Sequence, residues 1–163
     1  MSRQVLPTQE NALSAWVRLL RAHASLKRSF NAQLQVEHGL TVNDYEALLL
    51  LSHADDGRLK RVELADRLQL TPSGVTRLLD GLEAAGYVDK AACATDARVT
   101  YAVLTESGRE KLERAGCSHI GAVTAVFTER YDDEELQRLG ELLLRLPGAA
   151  EADPAACSAP ATG

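Results

Sequence analysis

Two short stretches in the middle of the chain carry apolar residues at the three- and four-residue spacing of amphipathic helices. The first apolar stripe consists of Val62, Leu64, Ala65, Leu68 and Leu70, the last of these already in a turn. The second stripe consists of Val75, Leu78, Leu79 and Leu82. Thr71 and Pro72 lie between them and predict the start of the second helix, because Thr caps free amides and Pro is tolerated at the first helical position.

A hairpin is predicted directly after this helix pair. Gly86 stands where a helix end favours a left-handed residue, and the strand-like segments Tyr87–Val88 and Val99–Leu104 follow it. Cys93–Ala97 is the predicted tip between the strands. Helix, turn, helix and hairpin in this order are the layout of a winged helix, which typically places its second helix in a DNA major groove. The predicted fold is therefore mainly α with a small β-hairpin wing.

Longer helical patterns precede this region. Thr8 to about Val36 predicts one long helix that ends near Gly39, and Thr41–Asp44 resembles a capped start for a helix ending around Ala54. We expect the Leu48–Leu51 run of that helix to be fully buried. The segment 55–57 is a predicted turn, and 58–60 is a predicted short strand that joins the wing sheet.

Two further helices are predicted after the hairpin. Thr105 starts a helix that runs to about Glu129, and Asp132–Glu135 fits a capping box for a last helix with a leucine stripe up to Leu146. The predicted organisation has a dimerisation helix over 8–38, a winged helix-turn-helix domain over 41–104, dimerisation helices over 105–147 and a disordered, Ala- and Pro-rich tail over 148–163.

The long terminal stripes predict a homodimer. A single small winged helix offers little surface to cover them, whereas pairing the N- and C-terminal helices of two subunits would bury them. Such a dimer would set two recognition helices about one DNA turn apart, which predicts a pseudo-palindromic site. The alternative is an intramolecular bundle in which the terminal helices fold back on their own chain.

Three segments in order resemble the MarR family of bacterial transcription regulators. They are VTRLLDGLEAAGYV in the second helix, Asp96-Ala97-Arg98 at the wing tip and AVLTESG at Ala102–Gly108. The resemblance implies a homodimeric repressor that releases its operator on binding a small effector, for many relatives a phenolic or other anionic aromatic compound. A cytoplasmic location is expected on other grounds, because the three widely spaced cysteines predict no disulfide framework. This chain departs from the family at the wing, because alanines occupy positions where relatives commonly carry further arginines.

The candidate DNA contacts follow from geometry and from this resemblance. Ser73, Thr76 and Arg77 lie near the start of the second helix, on its exposed side, where base edges and phosphates are reached. The resemblance places Arg98 in the minor groove, and Asp96 would orient it through a charge-assisted bond. Further candidates for phosphate contacts are Lys60, Arg61 and Lys90. The alternative for each basic residue is a solvated surface charge.

Signal sensing has two open readings. Effector candidates are the polar or aromatic residues on elements that would line a cleft behind the winged helix: Trp16, Arg18, His23, Tyr45 and His53. Plain packing is the favoured alternative for Trp16. Since some relatives sense oxidants, Cys93 in the wing and Cys117 in the following helix are candidate redox residues, with an inert role favoured for Cys117.

Charge and composition narrow the function classes. The chain carries a net charge of −5, but residues 58–98 hold seven basic against six acidic residues, so the acidity lies away from the predicted DNA face. Because the chain as a whole is acidic, a winged helix that binds only proteins remains an alternative. The sequence has no apolar run of about 18 residues, so no membrane span is predicted. The N-terminus lacks the apolar region of a signal peptide. The spacing of cysteines and histidines predicts neither a metal nor another cofactor, and no catalytic motif indicates an enzyme.

Overall fold

The computed structural model describes residues 7–92 and 98–149, which contain six α-helices and a three-stranded sheet. The helices are α1 (Pro7–His38), α2 (Val42–Ser52), α3 (Arg61–Arg67), α4 (Pro72–Ala84), α5 (Glu106–Thr128) and α6 (Asp133–Leu143). The strands are β1 (Arg58–Lys60), β2 (Val88–Ala92) and β3 (Thr100–Leu104). This architecture confirms the mainly α winged helix-turn-helix fold that the sequence predicts.

Local capping signals set the helix starts that the sequence predicts. The Thr41 hydroxyl accepts from the Asp44 amide, and the Asp44 carboxylate accepts in turn from the Thr41 amide. Thr71 accepts from the Gly74 amide at the start of α4. Asp132 and Glu135 form the same reciprocal pair before α6. Each bond satisfies an amide that the first helical turn leaves without a partner.

The sheet joins the wing to the chain that precedes the helix pair. Its strand order is β1-β3-β2, and both pairings are antiparallel. Leu59 of β1 pairs with Ala102 of β3, which is itself paired with Lys90 of β2. Strand β1 precedes α3, whereas β2 and β3 form the wing hairpin after α4. The sheet therefore brings together the two ends of the helix-turn-helix segment.

Thr105 links β3 directly to α5. Its amide donates to the Tyr87 carbonyl at 3.1 Å, and its hydroxyl donates to the Gly86 carbonyl at 2.7 Å. The same hydroxyl accepts from the Gly108 amide at 3.0 Å as the cap of α5. Gly108 makes this approach possible, because a Cβ built there would lie 2.1 Å from the Tyr87 carbonyl oxygen. The wing and the long helix behind it are therefore fastened at one short joint.

The hydrophobic core lies between the winged helix and the inner parts of the long helices. Its largest fully buried side chains are Leu34, Leu48, Leu51, Leu64, Val75, Leu79, Val88 and Leu112. We call this set the winged-helix core. It draws on α1 to α5 and on β2, so the helix pair, the wing and the C-terminal half of α1 pack as one unit.

The N-terminal half of α1 leaves its apolar stripe exposed. Leu13, Trp16, Val17 and Leu20 follow helical spacing on one face, and their exposed fractions lie between 42% and 56%. We call these four residues the α1 stripe. The leucines at the end of α6 and just after it are also exposed: Leu142, Leu143, Leu144 and Leu146. The described part of one chain therefore leaves these segments partly uncovered, and their pairing between two chains stays a prediction.

Three sequence predictions about burial and length were wrong. Val62 is 66% exposed, because it lies two residues before the buried Leu64 and so points away from the core side of α3. Leu50 is only half-buried, since four consecutive residues cannot share one face of a helix. The last helix ends at Leu143 rather than Leu146, and tighter bonds between residues three apart close its final turn.

No helix in the described residues is long and apolar enough to cross a membrane. The predicted tip 93–97 and residues 150–163 of the predicted tail lie outside the described residues.

Candidate nucleic-acid interface

Helix α4 has one buried and one polar face. Val75, Leu79 and Leu82 are buried against the core. Ser73, Thr76, Arg77 and Asp80 recur at three- and four-residue spacing on the opposite side. Ser73, Arg77 and Asp80 are exposed there, whereas Thr76 is half-buried. A helix whose exposed face carries small polar side chains and an arginine, here with one carboxylate, has the shape and chemistry that a major groove admits.

Hydrogen bonds at the start of α4 determine whether its hydroxyl groups can donate or accept a further hydrogen bond. The Thr76 hydroxyl donates to the Pro72 carbonyl at 2.8 Å, so its proton is used inside the helix and its oxygen remains an acceptor. The Ser73 hydroxyl lies 3.3 Å from the Thr71 hydroxyl. Both hydroxyl groups are thus held within the first turns of α4, Thr76 by the helix backbone and Ser73 by the N-cap side chain.

The structure describes only part of the predicted wing contact. Arg98 is exposed and lies two residues before β3, on the tip side of the wing hairpin. Asp96 and Cys93 fall in the segment 93–97, outside the described residues. The pairing of Asp96 with Arg98 therefore stays a prediction.

Lys60 and Arg61 lie together at the junction of β1 and α3. Both side chains are exposed. The Lys60 amide donates to the Glu63 carboxylate at 3.2 Å, and the Lys60 ammonium lies 3.8 Å from the same carboxylate. Exposed ion pairs of this length contribute little to stability, so the Lys60 charge remains available to a polyanion.

Lys90, the third predicted phosphate contact, binds acidic residues of α4. Its ammonium donates to Asp80 Oδ1 at 2.5 Å and lies 2.7 Å from Glu83 Oε2. The hydrogen bond to Asp80, followed by the one to Glu83, raises the pKa of Lys90 above its ordinary value. Sequence reasoning missed these partners, although strand alternation places Lys90 on the same side of β2 as the buried Val88.

The five predicted effector residues are spread along α1 and α2, and Trp16 lies far from Tyr45 within one chain. Trp16, Arg18 and His23 are exposed on α1. Tyr45 is 3% exposed, whereas His53 is exposed at the end of α2, with its Nδ1 2.9 Å from the Leu49 carbonyl oxygen. At about 1.5 Å of rise per residue, Trp16 lies roughly 20 Å along α1 from the position of Phe30, which is close to Tyr45.

Near Tyr45 the structure reveals a cluster that sequence reasoning missed. The His119 ring packs edge-on against Phe30 at 5.3 Å between centroids and tilts against Tyr45 at 4.8 Å. Desolvation lowers the pKa of His119. Gln33 reaches His119 and Ser118, and the His38 ring lies 2.6 Å from the Ser118 hydroxyl. These contacts join α1, α2 and α5, so no local pattern could have indicated them; we call them the helix-junction cluster.

The cysteines and possible metal ligands are the remaining candidates for a functional site. Cys117 is an exposed free thiol on α5, and Cys157 lies outside the described residues. Within residues 7–92 and 98–149, no three histidine, cysteine or acidic side chains are placed so that they could hold a metal ion.

Comparisons with known proteins match this geometry. A sequence profile described as MarR family matches residues 38–99. The HTH-type transcriptional repressor YetL of Bacillus subtilis is 38% identical over 66% of this chain and 66% of its own length. Sco3205 of Streptomyces coelicolor, a MarR family regulator solved in complex with DNA, superposes with a TM-score of 0.75 at 28% identity, covering 94% of this chain and 96% of that one.

A third comparison concerns a ligand complex. CouR of Rhodococcus jostii RHA1, solved bound to p-coumaroyl-CoA, superposes with a TM-score of 0.61 at 25% identity. The match covers 77% of this chain and 86% of CouR.

Proposed function

We propose, from the premise that this chain belongs to the MarR family of transcription regulators, that it is a homodimeric repressor which leaves a pseudo-palindromic operator when a small effector binds. Its relatives are regulators, and it is not an enzyme. The observation that carries the proposal is the exposed polar face of α4, capped by Thr71 and flanked by the wing. A repressor of bacterial promoters would act in the cytoplasm, where the DNA lies.

Each DNA contact in the proposal has its own physical basis. Arg77 offers two parallel donors to guanine in the major groove, and Ser73 and Thr76 bind phosphate or base edges. Arg98, oriented by Asp96, enters the minor groove beside the wing, where the negative potential favours a guanidinium. Lys60 and Arg61 are placed to bind phosphate. The DNA complex of Sco3205 and the naming of YetL as a repressor support this reading.

The exposed α1 stripe supports the dimer. Its four apolar residues are uncovered in one chain, and each large apolar side chain gains about 1.5–3 kcal/mol from full burial. A second copy has the same stripe, so a two-fold pairing covers both at once. The pairing would also fix the distance between the two recognition helices, which is the quantity that an effector must change.

The proposed effector is a phenolic or other anionic aromatic compound. CouR, which was solved with the coenzyme A thioester of a phenolic acid, supports this class. Trp16, Arg18 and His23 on α1, with Tyr45 and His53 on α2, supply aromatic and cationic groups that suit such a ligand. Tyr45 already packs in the helix-junction cluster, which links the proposed site to α5.

The DNA proposal is tested by selecting duplexes from a random-sequence pool with the full chain and footprinting the selected site. We expect an inverted repeat with half-sites about one helical turn apart. Arg98→Ala and Arg77→Ala should each weaken binding by about 1–3 kcal/mol, and Arg77→Ala should also relax preference at one base pair. Arg114→Ala, an exposed arginine on α5, is the matched control. Unchanged titrations for both arginine variants would refute the assigned contacts.

The effector proposal has a built-in reporter, because Trp16 is the single tryptophan of the chain. Titrating p-coumarate and its coenzyme A thioester into the protein–operator complex should quench Trp16 fluorescence and release the DNA over the same concentration range. Benzyl alcohol, which is aromatic but uncharged and not phenolic, is the control ligand. DNA release with no change at Trp16 would move the site away from α1.

A further inference from the structure

The side chain of Lys90 points toward α4, which we call the recognition helix because it is the helix proposed to enter the DNA major groove. Residues of a strand alternate between its two faces, so Lys90 lies on the same face of β2 as Val88, which is fully buried. Its cross-strand partner on β3, Ala102, is also fully buried. The Lys90 ammonium consequently emerges at the edge of the core beside the C-terminal half of α4.

Two carboxylates of α4 meet that ammonium. Asp80 and Glu83 are three residues apart and therefore lie on neighbouring positions of one helix face. Both are within 2.7 Å of the Lys90 nitrogen, and the Lys90 side chain is 29% exposed. An ammonium that donates to two carboxylates has little left to offer a phosphate group.

Asp80 also shares the polar face of α4 with Ser73, Thr76 and Arg77. A carboxylate on that face would repel the phosphate backbone once the helix enters the groove, since like charges at an interface are costly. Lys90 compensates that charge from the adjacent strand, and at the same time it ties β2 to α4.

We propose that Lys90 is a positioning residue, which fixes the wing against the recognition helix and masks Asp80 and Glu83 from DNA, rather than a phosphate contact. This role presupposes the proposed docking of α4 on DNA. Arg77 and Arg98 would contact the operator, whereas Lys90 would act on affinity only through the two carboxylates.

A double-mutant cycle separates the two roles. Lys90→Met is compared in the wild-type background and in the background of Asp80→Asn with Glu83→Gln, using the inverted-repeat duplex selected by the wild-type chain. We expect Lys90→Met to weaken binding roughly tenfold in the first background, where it uncovers two charges, and less than about twofold in the second. Equal losses in both backgrounds would overturn the proposal.

The salt dependence of binding gives a second readout that a loss of stability does not mimic. Removing a phosphate contact reduces the slope of log K against log salt concentration by about 0.9. In the background of Asp80→Asn with Glu83→Gln, where there is no charge for Lys90 to mask, we expect Lys90→Met to leave this slope unchanged, and a slope reduced by that amount there would overturn the proposal. Lys90→Arg should restore affinity, because it keeps the charge between the two carboxylates.

Controls keep this test independent of folding and of the proposed function. Lys111→Met removes a lysine that lies over the Tyr87 ring at 5.6 Å and should leave affinity unchanged. If Lys90→Met melts well below the wild type, Lys90→Gln replaces it throughout the cycle. Failure of the wild-type chain to bind any duplex would refute the proposed function, whereas normal wild-type binding with equal losses in the cycle would refute only the role of Lys90.

Discussion

The winged-helix core and the α1 stripe are both built from apolar residues at helical spacing, yet only one of them is complete in a single chain. Leu48, Leu79 and Val88 are at most 1% exposed, whereas Trp16 is 56% exposed. The core takes its partners from several elements of the same chain, while the first half of α1 extends beyond every element that would cover it. Periodicity thus identifies an apolar face but does not say whether its partner lies in the same chain.

The largest expected effect is in the core. Leu79→Ala removes a fully buried side chain between α4 and the rest of the core, so it should lower the free energy of unfolding by about 2–5 kcal/mol. Urea denaturation followed by circular dichroism measures this. The matched control is Leu13→Ala on the α1 stripe, measured at concentrations low enough for a single chain. A similar loss of unfolding free energy in the two variants would contradict the difference between the winged-helix core and the α1 stripe.

Gly108→Ala probes the joint between the core and α5. The added methyl would meet the Tyr87 carbonyl oxygen, so the backbone must shift, and overpacking of this kind typically costs about 1–3 kcal/mol. Gly81→Ala is the control, since a Cβ at that helical position meets nothing within 4 Å. It should stabilise the protein by about 0.5–1 kcal/mol. Thermal melts of the two variants should therefore shift in opposite directions.

Replacing Trp16 by Asp should change assembly more than the stability of each chain. An exposed side chain contributes little within one subunit, and surface substitutions usually stay within about 0.5 kcal/mol. The buried charge in the paired stripe would nevertheless dissociate the dimer. Sedimentation velocity should give a monomer at micromolar concentration with unchanged helical content, and operator binding should be lost with it. A wild-type chain that already sediments as a monomer would contradict the proposed dimer.

The smallest expected effect concerns pH and the helix-junction cluster. Because desolvation lowers the pKa of His119 in the folded chain, the unfolded chain binds more protons once the pH falls below the ordinary histidine value of 6.5. Stability should therefore be full above that pH and decline as pH falls toward the folded pKa. His119→Gln should flatten this part of the profile in urea titrations at several pH values. An equally steep decline in the variant would assign the dependence to other groups.

Local signals predicted local structure well. Thr41, Thr71 and Asp132 were each recognised as helix starts, because an N-cap is a contact between residues three apart. The strand 58–60 was also predicted to join the wing sheet, and the structure pairs it with β3. Val62 and Leu50 were misjudged because the sequence gives the spacing of apolar residues but not the direction in which a short or wholly apolar helix faces.

Contacts distant in sequence explain what remained unpredicted at the site. Lys90 looked like any exposed basic residue until its carboxylate partners on α4 were seen, ten and seven residues earlier in the chain. His119 on α5 and Phe30 on α1 are far apart in the sequence. Their ring contact therefore depends on how the two helices pack. Such pairs require the tertiary arrangement, whereas the exposed face of α4 follows from helical periodicity alone.

The joint at Thr105 has a mechanical consequence. One residue separates the end of β3 from the start of α5, and its three hydrogen bonds hold it to Gly86, Tyr87 and Gly108. A connection that short and that well bonded transmits torque instead of bending. Rotation of α5 by a few degrees would therefore carry the wing with it as a rigid lever, and the displacement of the wing would grow with the distance from this joint.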